Sequence, residues 1–148
     1  MKNIILYIGL VFVLVGCTKK DGDFLWIDPL LIGKGDLNGS EGIDKQNLVI
    51  KNTTDWENLL SKFNNYTLGE LQESDINFNT FQLIAVFDQI YGNGGHSIDI
   101  TKIIENDADI VVTIEHLQTG DDTTVVTQPY HIVKIPASSK LVIFDQLN

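Results

Sequence analysis

Residues 82–87 read Gln-Leu-Ile-Ala-Val-Phe, an almost continuous apolar run in a chain that is otherwise rich in polar and acidic residues. Apolar residues that run on without alternation are typical of a central strand that is buried on both faces. The sequence therefore predicts a sheet with residues 82–87 in its interior. The segments on either side of this strand indicate what else the domain contains.

A helix is predicted upstream of the central strand. Its apolar side chains follow the i, i+3, i+4, i+7 spacing of one helical stripe, which consists of Trp56, Leu59, Leu60 and Phe63. Thr54 and Glu57 have the spacing of a capping box, so we expect the helix to begin there and to end at Asn64-Asn65. At this spacing Trp56 is expected in the core rather than in a sugar-stacking position.

The last third of the chain is predicted to be β-structure. Residues 96–104 and 109–117 alternate between apolar and polar, and two further strands are expected at 130–135 and 140–144. Near the start, Asp28-Pro29 interrupts a first strand, and the glycine-rich residues 33–42 are expected to form a loop. The predicted fold class is α+β: an antiparallel β-meander sheet packed with one main amphipathic helix, in a single domain over residues 24–148.

The N-terminus has the features of a bacterial lipoprotein signal peptide. Lys2 gives a short positive region, residues 4–13 are mainly apolar, and the segment is too short for a membrane-spanning helix. Leu14-Val15-Gly16-Cys17 resembles a lipobox. We therefore expect cleavage between Gly16 and Cys17, removal of residues 1–16, and a short polar tether over residues 17–23.

Cys17 is the only cysteine of the chain, so the exported protein has no disulfide framework. The lipobox predicts that Cys17 becomes a diacylglycerol cysteine and is then N-acylated, for example with palmitate. Several acyl chains anchor a protein durably, because each buried methylene contributes about 0.8 kcal/mol. Thr18 rather than aspartate follows Cys17, which favours the outer membrane, with the domain facing the periplasm or the cell surface.

The charge balance excludes nucleic-acid binding. Processing at Cys17 removes one of ten lysines and no acid, leaving nine lysines against twenty acidic residues, a formal charge of −11, and the chain has no arginine. Nucleic-acid binding needs a basic surface. Anionic headgroups would also repel this acidic body, so attachment to a lipid membrane must come from acylated Cys17.

A nucleotide cofactor is not expected at the glycine-rich segment Tyr91-Gly92-Asn93-Gly94-Gly95-His96. A dinucleotide-binding loop needs a helix after the glycines, whereas the sequence after Gly95 alternates with period two and predicts a strand. Gly94 and Gly95 are better explained as positive-φ residues of a turn. The sequence therefore predicts no cofactor.

No metal site and no catalytic residues are predicted. His96 and His116 would share one face of a hairpin, but they lack a ligand-spacing motif. Ser97 beside His96 is not a catalytic pair, because adjacent strand residues point to opposite faces. Asp36, Asn38 and Ser40 have the spacing of the start of a calcium loop, although the glycine and the closing glutamate of that loop are missing.

The C-terminal part of the chain resembles a known family. The resemblance is carried by Gly94-Gly95-His96-Ser97-Ile98-x-Ile100, then Thr127-Gln128-Pro129-Tyr130-His131-Ile132-Val133, and finally Val142-x-Phe144. Over residues 94–144 these motifs are similar to the PrcB C-terminal domain family, which takes its name from a lipoprotein subunit of a surface protease complex. The resemblance implies a non-catalytic, membrane-tethered module that binds or assists a partner.

The function expected from the sequence is that of a non-enzymatic, membrane-anchored envelope lipoprotein, an accessory or binding subunit with an envelope protein or protease as partner. Its candidate interaction surface lies at the connections between strands and contains Gly94, Gly95, His96, Pro129 and Tyr130. The alternative is a calcium- or carbohydrate-binding envelope lipoprotein that uses Trp26 or residues 33–42.

Overall fold

The computed structural model describes residues 24–147. Within this part of the chain, eight strands and two helices follow one another in the order β1 (Leu25–Trp26), β2 (Leu30–Leu37), β3 (Gln46–Ile50), α1 (Thr53–Leu60), α2 (Asn65–Glu70), β4 (Phe81–Phe87), β5 (Asp99–Glu105), β6 (Asp109–Glu115), β7 (Gln128–Pro136) and β8 (Leu141–Gln146). The content is mostly β with two short helices, which agrees with the coarse α+β prediction.

The strands form two four-stranded sheets rather than one. The first sheet has the order β2-β7-β4-β3, and the second has the order β1-β5-β6-β8. Apolar side chains from β4 and β7 form one core cluster with those of β5 and β6, so the two sheets pack face to face. A second cluster lies on the other face of the first sheet, where α1 contributes its buried side chains. The domain therefore has three layers: helices, first sheet, second sheet.

The central strand is β4, and the prediction that it is buried on both faces is confirmed. Leu83, Ala85 and Phe87 face the helices, and Ile84 and Val86 face the second sheet. All five side chains are fully buried. The strand does not alternate in sequence because both of its faces are covered.

The predicted meander ends after β6. β5 and β6 form the expected antiparallel hairpin, with Ile100 opposite Ile114 and a bulge between Ile100 and Lys102. β7 then crosses to the first sheet, and β8 returns to pair with β6 in parallel. Alternation within each strand indicates which side chains point inward, but it does not indicate which sheet the strand joins.

The helical region differs from the prediction in its ends. α1 begins at Thr53 and its N-cap is Asn52, whose side-chain oxygen accepts from the Asp55 amide at 2.9 Å, so Thr54 is not the cap. The helix ends at Leu60, and Asn64 caps the separate helix α2 instead of closing α1. The stripe itself is correct, because Trp56, Leu59 and Phe63 are buried. Asparagine competes with serine and threonine as an N-cap, so both helices start where an asparagine side chain can accept from the first turn.

The prediction of a loop over residues 33–42 is wrong in its first half. β2 continues to Leu37 and pairs with β7 along its length. Gly33 is needed there for space: a Cβ at this position would lie 2.6 Å from a methyl carbon of Leu71. The glycine thus allows close packing within a strand and does not mark a turn.

The predicted signal peptide, its predicted cleavage site and Cys17 lie outside the described residues. Between residues 24 and 147, no helix has the length and apolar character needed to cross a membrane.

Candidate functional site

The glycine-rich segment 91–96 carries the chain from the first sheet to the second. Tyr91 bridges to Thr127 just before β7, and His96 bridges to Thr119 beyond β6. Gly95 has a φ of +72°, as predicted, and a Cβ there would lie 2.8 Å from the Asp121 carboxylate. Gly94 is not in the positive-φ region; it is confined by the Thr123 hydroxyl, 2.7 Å from where its Cβ would be. The segment positions the residues that follow it at one end of the sandwich.

A cleft of about 300 Å³ opens at this end, between β2, β7 and the chain that enters β5. We call it the end cleft. It is lined by Lys34, Gly35, Asp36, His96, Ser97, Ile98, Gln118, Pro129 and Tyr130. Pairing between β2 and β7 fixes one wall, with Gly35 opposite Tyr130 and Asp36 opposite Pro129.

An ion pair ties the two sheets together at the end cleft. The Lys34 ammonium on β2 donates to the carboxylate of Asp99 at the start of β5. The Asp99 side chain is only 4% exposed, and it also accepts from the Ser97 hydroxyl and from the Leu117 amide. Burial alone would raise the pKa of Asp99, but these donors outweigh burial and hold it below its usual value. Asp99 is therefore a fixed negative charge between the sheets.

His131 lies behind this ion pair, in the interior between the sheets. Its Nδ1 accepts a hydrogen bond from the Ile100 backbone amide at 3.0 Å. This bond requires an unprotonated Nδ1 and therefore a neutral imidazole ring. Burial, reinforced by the positive charge of Lys34 and opposed by Asp99, lowers the pKa of His131 to about 4. The ring is a neutral crosslink between β7 and β5.

The low pKa of His131 makes stability depend on pH. The unfolded chain takes up a proton near pH 6.5, whereas the folded chain resists protonation down to about pH 4. The free energy of unfolding should therefore fall as the pH drops from 6.5 to 4, by about 3 kcal/mol for this group. Urea unfolding at several pH values measures the slope. In His131→Asn the amide oxygen can still accept from Ile100 but cannot titrate, so the slope in this window should flatten; an unchanged slope would contradict the assignment.

A second polar cluster surrounds Asp88, which directly follows β4 and is fully buried. The Tyr91 hydroxyl donates to Asp88 at 2.7 Å, and Lys45 and His116 each approach it at 2.9 Å. Burial would raise the pKa of Asp88, but the donors, Tyr91 first, hold it below its usual value. Burial and the neighbouring Asp88 carboxylate raise the pKa of Tyr91 to about 12.

His96 links the Asp88 cluster to the end cleft. It lines the cleft, and its ring stacks on Tyr91 with centroids 3.6 Å apart and planes within 9° of parallel. Its Nε2 lies 3.1 Å from the Asn93 side-chain oxygen. The ring is thereby held flat against the wall of the cleft.

The structure brings three of the five residues of the candidate interaction surface to the end cleft: His96, Pro129 and Tyr130. Pro129 and Tyr130 are buried members of its wall, and Tyr130 packs against Phe63 and Phe87 in the core. Gly94 and Gly95 lie beside the cleft, where their carbonyl oxygens accept from the amides of Asp121 and Gly120. Of the side chains that line the cleft, those of Lys34, Asp36 and Gln118 are exposed.

The two histidines of the predicted hairpin each bond to a different side chain. His96 bonds to Asn93 and His116 bonds to Asp88. Within residues 24–147, no group of three histidine, cysteine or acidic side chains is arranged to hold a metal ion. Ser97 donates to Asp99 and accepts from the Gln118 amide, so its hydroxyl is engaged by groups other than histidine.

The residues considered for calcium binding and for carbohydrate binding lie in different parts of the fold. Asp36 lines the end cleft, whereas Asn38 accepts from both the amide and the hydroxyl of Ser40 in the following turn. Trp26 is on the outer face of the second sheet, where its ring lies under the Lys102 ammonium at 5.0 Å.

Sequence reasoning missed the charged groups that build the end cleft. Lys34 lies within the residues predicted as a loop, and the alternation of residues 96–104 predicts only that Asp99 lies on the strand face opposite Ile98 and Ile100. Asp88 gave a usable signal, because an acidic residue directly after a fully apolar run must either leave the core or find partners. The rest depends on the tertiary contact between Lys34 of β2 and Asp99 of β5, and no local pattern encodes that contact.

In comparisons with known proteins, no family model, no curated protein and no solved structure matches this chain.

Proposed function

We propose that this protein is an envelope lipoprotein, cleaved after Gly16 and acylated on Cys17, whose domain is a non-enzymatic accessory or binding subunit. The observation that carries the proposal is the sequence Leu14-Val15-Gly16-Cys17 directly after an apolar segment. The polar tether predicted over residues 17–23 would join the acylated cysteine to the domain. The resemblance to the PrcB C-terminal domain family suggests a protease complex as the assembly, and Thr18 favours the outer membrane.

The chemistry of the end cleft favours binding over catalysis. A general base or nucleophile needs a free, correctly protonated group aimed at a substrate. Here Asp99 is paired with Lys34, Asp88 is paired with Lys45 and His116, and the Ser97 hydroxyl is bonded on both sides. These contacts hold the rim rigid, which suits a preformed recognition surface.

The surface proposed to meet the partner is the rim of the end cleft. Asp36 and Gln118 are exposed on opposite sides of it, and the stacked His96 ring forms part of its wall. A partner that inserts a side chain into this cleft would have to complement the acidic character of the domain, so a basic or polar insert is expected.

Co-purification tests this proposal. The acylated chain, tagged at its C-terminus and solubilised from membranes, should recover one specific envelope protein. Asp36→Lys should lower that recovery by more than tenfold, because a like charge at a basic contact costs several kcal/mol and about 1.4 kcal/mol is already tenfold in affinity. Glu57→Lys, the same charge reversal on the exposed side of α1, is the matched control and should leave recovery unchanged. Repeated purifications that yield no specific protein, or equal losses in both variants, would contradict the proposal.

A further inference from the structure

The outer face of the second sheet carries an apolar row across all four strands. Strand pairing places Trp26 opposite Ile104, Ile104 opposite Val111, and Val111 opposite Ile143. The alternate residues of β6 and β8 face the core between the sheets, so this row points the other way, toward solvent. Such a row normally packs against another layer.

No layer of the described chain covers this row, because both helices pack on the first sheet. Trp26 is 60% exposed and Phe24, just before β1, is 59% exposed. A shallow depression of about 300 Å³ lies between them. It is lined by Phe24, Trp26, Lys102, Ile104, Asn106 and Val111. We call Phe24 and the row from Trp26 to Ile143 the aromatic face.

The aromatic face lies where the chain leaves toward Cys17. Seven residue steps separate Cys17 from Phe24, and a fully extended chain covers at most about 25 Å over that distance. An acyl chain on Cys17 would hold its backbone in the interfacial region of the bilayer, which is roughly 5–8 Å thick on each side. Phe24 must therefore remain within about 25 Å of the acylated residue.

On this basis, and resting on the proposed acylation of Cys17, we infer that the aromatic face docks on the lipid bilayer. The bilayer surface covers the outer face of the second sheet, so the domain lies on the membrane by that sheet, with the end cleft left accessible. The anchor and the face then act together, because the tether keeps the face at high local concentration near the lipid.

The side chains of the face suit the boundary between headgroups and acyl chains. Tryptophan favours this region because its ring is apolar and its N–H remains wet. Lys102, placed over the Trp26 ring, can extend its ammonium to phosphate while its stem stays on the apolar surface.

The charge of the domain indicates which lipids the face suits. Asp145 lies one row away from the aromatic face, opposite Thr113, and the processed chain has a formal charge of −11. The acidic domain would repel anionic headgroups, so contact should be apolar. It should therefore occur on vesicles of pure phosphatidylcholine, without anionic lipid. High salt should not weaken it, in contrast to binding through a basic patch.

Depth-dependent quenching tests the docking. The full acylated chain is reconstituted into phosphatidylcholine vesicles whose acyl chains carry bromine, a quencher of tryptophan emission. The emission of Trp26 should be quenched. Trp56 is 2% exposed in the core between α1 and the first sheet, so its emission should persist as an internal reference. Trp26→Tyr should abolish the quenching, which assigns the signal.

Phe24→Glu should remove the quenching of Trp26 while the chain stays in the vesicles through its lipid. Phe24 lies outside the strands, so this change tests the face without disturbing a sheet. Leu117→Glu, at a 65% exposed leucine beyond β6, is the matched control and should leave the quenching intact.

Three results would overturn the inference. An acylated chain that stays in the vesicles with an unquenched Trp26 leaves the proposed function standing and removes the docking. If the chain isolated from membranes carries no acyl group on Cys17, the lipoprotein proposal fails, and the docking that rests on it fails as well. A dimer in detergent that Phe24→Glu dissociates assigns the aromatic face to a second copy of the chain.

Discussion

Replacing Cys17 by serine should abolish acylation and leave an uncleaved precursor in place of the mature lipoprotein. Serine has no thiol to receive the diacylglycerol group, and cleavage before residue 17 depends on that modification. Any chain that is nevertheless cleaved should be largely lost from the membrane, because it lacks the acyl chains, which contribute about 0.8 kcal/mol per buried methylene. Labelling with a palmitate analogue, intact mass and fractionation of membranes measure the outcome.

Two controls make the Cys17 result interpretable. Thr18→Ser changes the neighbouring residue and should leave acylation and membrane retention normal. An unprocessed Cys17→Ser precursor retains residues 1–16 and has a larger mass, so it is distinguished from a released domain. Normal retention of a processed Cys17→Ser chain would refute the anchor.

Trp56→Ala should cost about 3–5 kcal/mol of unfolding free energy, the range for truncation of a large buried aromatic side chain. Trp56 is 2% exposed and joins α1 to the first sheet in the helix-side core. Domains of this size have about 5–15 kcal/mol in total, so the variant should be close to unfolded at moderate temperature. Urea unfolding followed by circular dichroism measures the change.

A conservative variant separates packing from hydrogen bonding at Trp56. Its Nε1 donates to the Ser74 carbonyl at 2.8 Å. Trp56→Phe keeps most of the ring and loses this bond, so it should cost less than the alanine variant, with about 1 kcal/mol attributable to the bond. Tyr66→Ala, at a 76% exposed ring on α2, should change stability by less than about 0.5 kcal/mol. Similar losses in all three variants would contradict the role given to Trp56.

The elements that local patterning specifies were predictable from sequence. The apolar run of β4 indicated its double burial, and alternation around Ile100 and Ile114 indicated the β5–β6 hairpin. The periodicity of apolar residues and the turn-forming residues are local features of the sequence. They can therefore be recognised without knowing which strands pair.

The assembly of these elements was not predictable in the same way. Nothing in residues 128–136 indicates that β7 belongs to the sheet of β4, and nothing in 141–146 indicates parallel pairing with β6. Gly33 was misread because glycine marks both turns and close packing, and only the presence of Leu71 distinguishes them. Asn52 prevailed over Thr54 as a cap because several residue types satisfy the same helix end.

The candidate site, like the fold, was only partly predictable from the sequence. The segments that meet at the end cleft were identified through His96, Pro129 and Tyr130. Its charged groups were not, because Lys34 and Asp99 are 65 residues apart and meet only when the two sheets pack. Their low-energy pairing depends on burial, which a sequence does not display residue by residue.

The parallel pairing of β8 with β6 also sets an order of events in folding. β6 gains its first neighbour from the adjacent β5, but its second neighbour arrives only after β7 has joined the other sheet and the chain has returned. Such non-local closure is slow relative to hairpin formation. Until β8 pairs, β6 is therefore an open strand edge that other chains could extend. The six residues from Leu141 to Gln146 act as the chain's own edge protection, and a chain that stopped before them would keep that edge exposed.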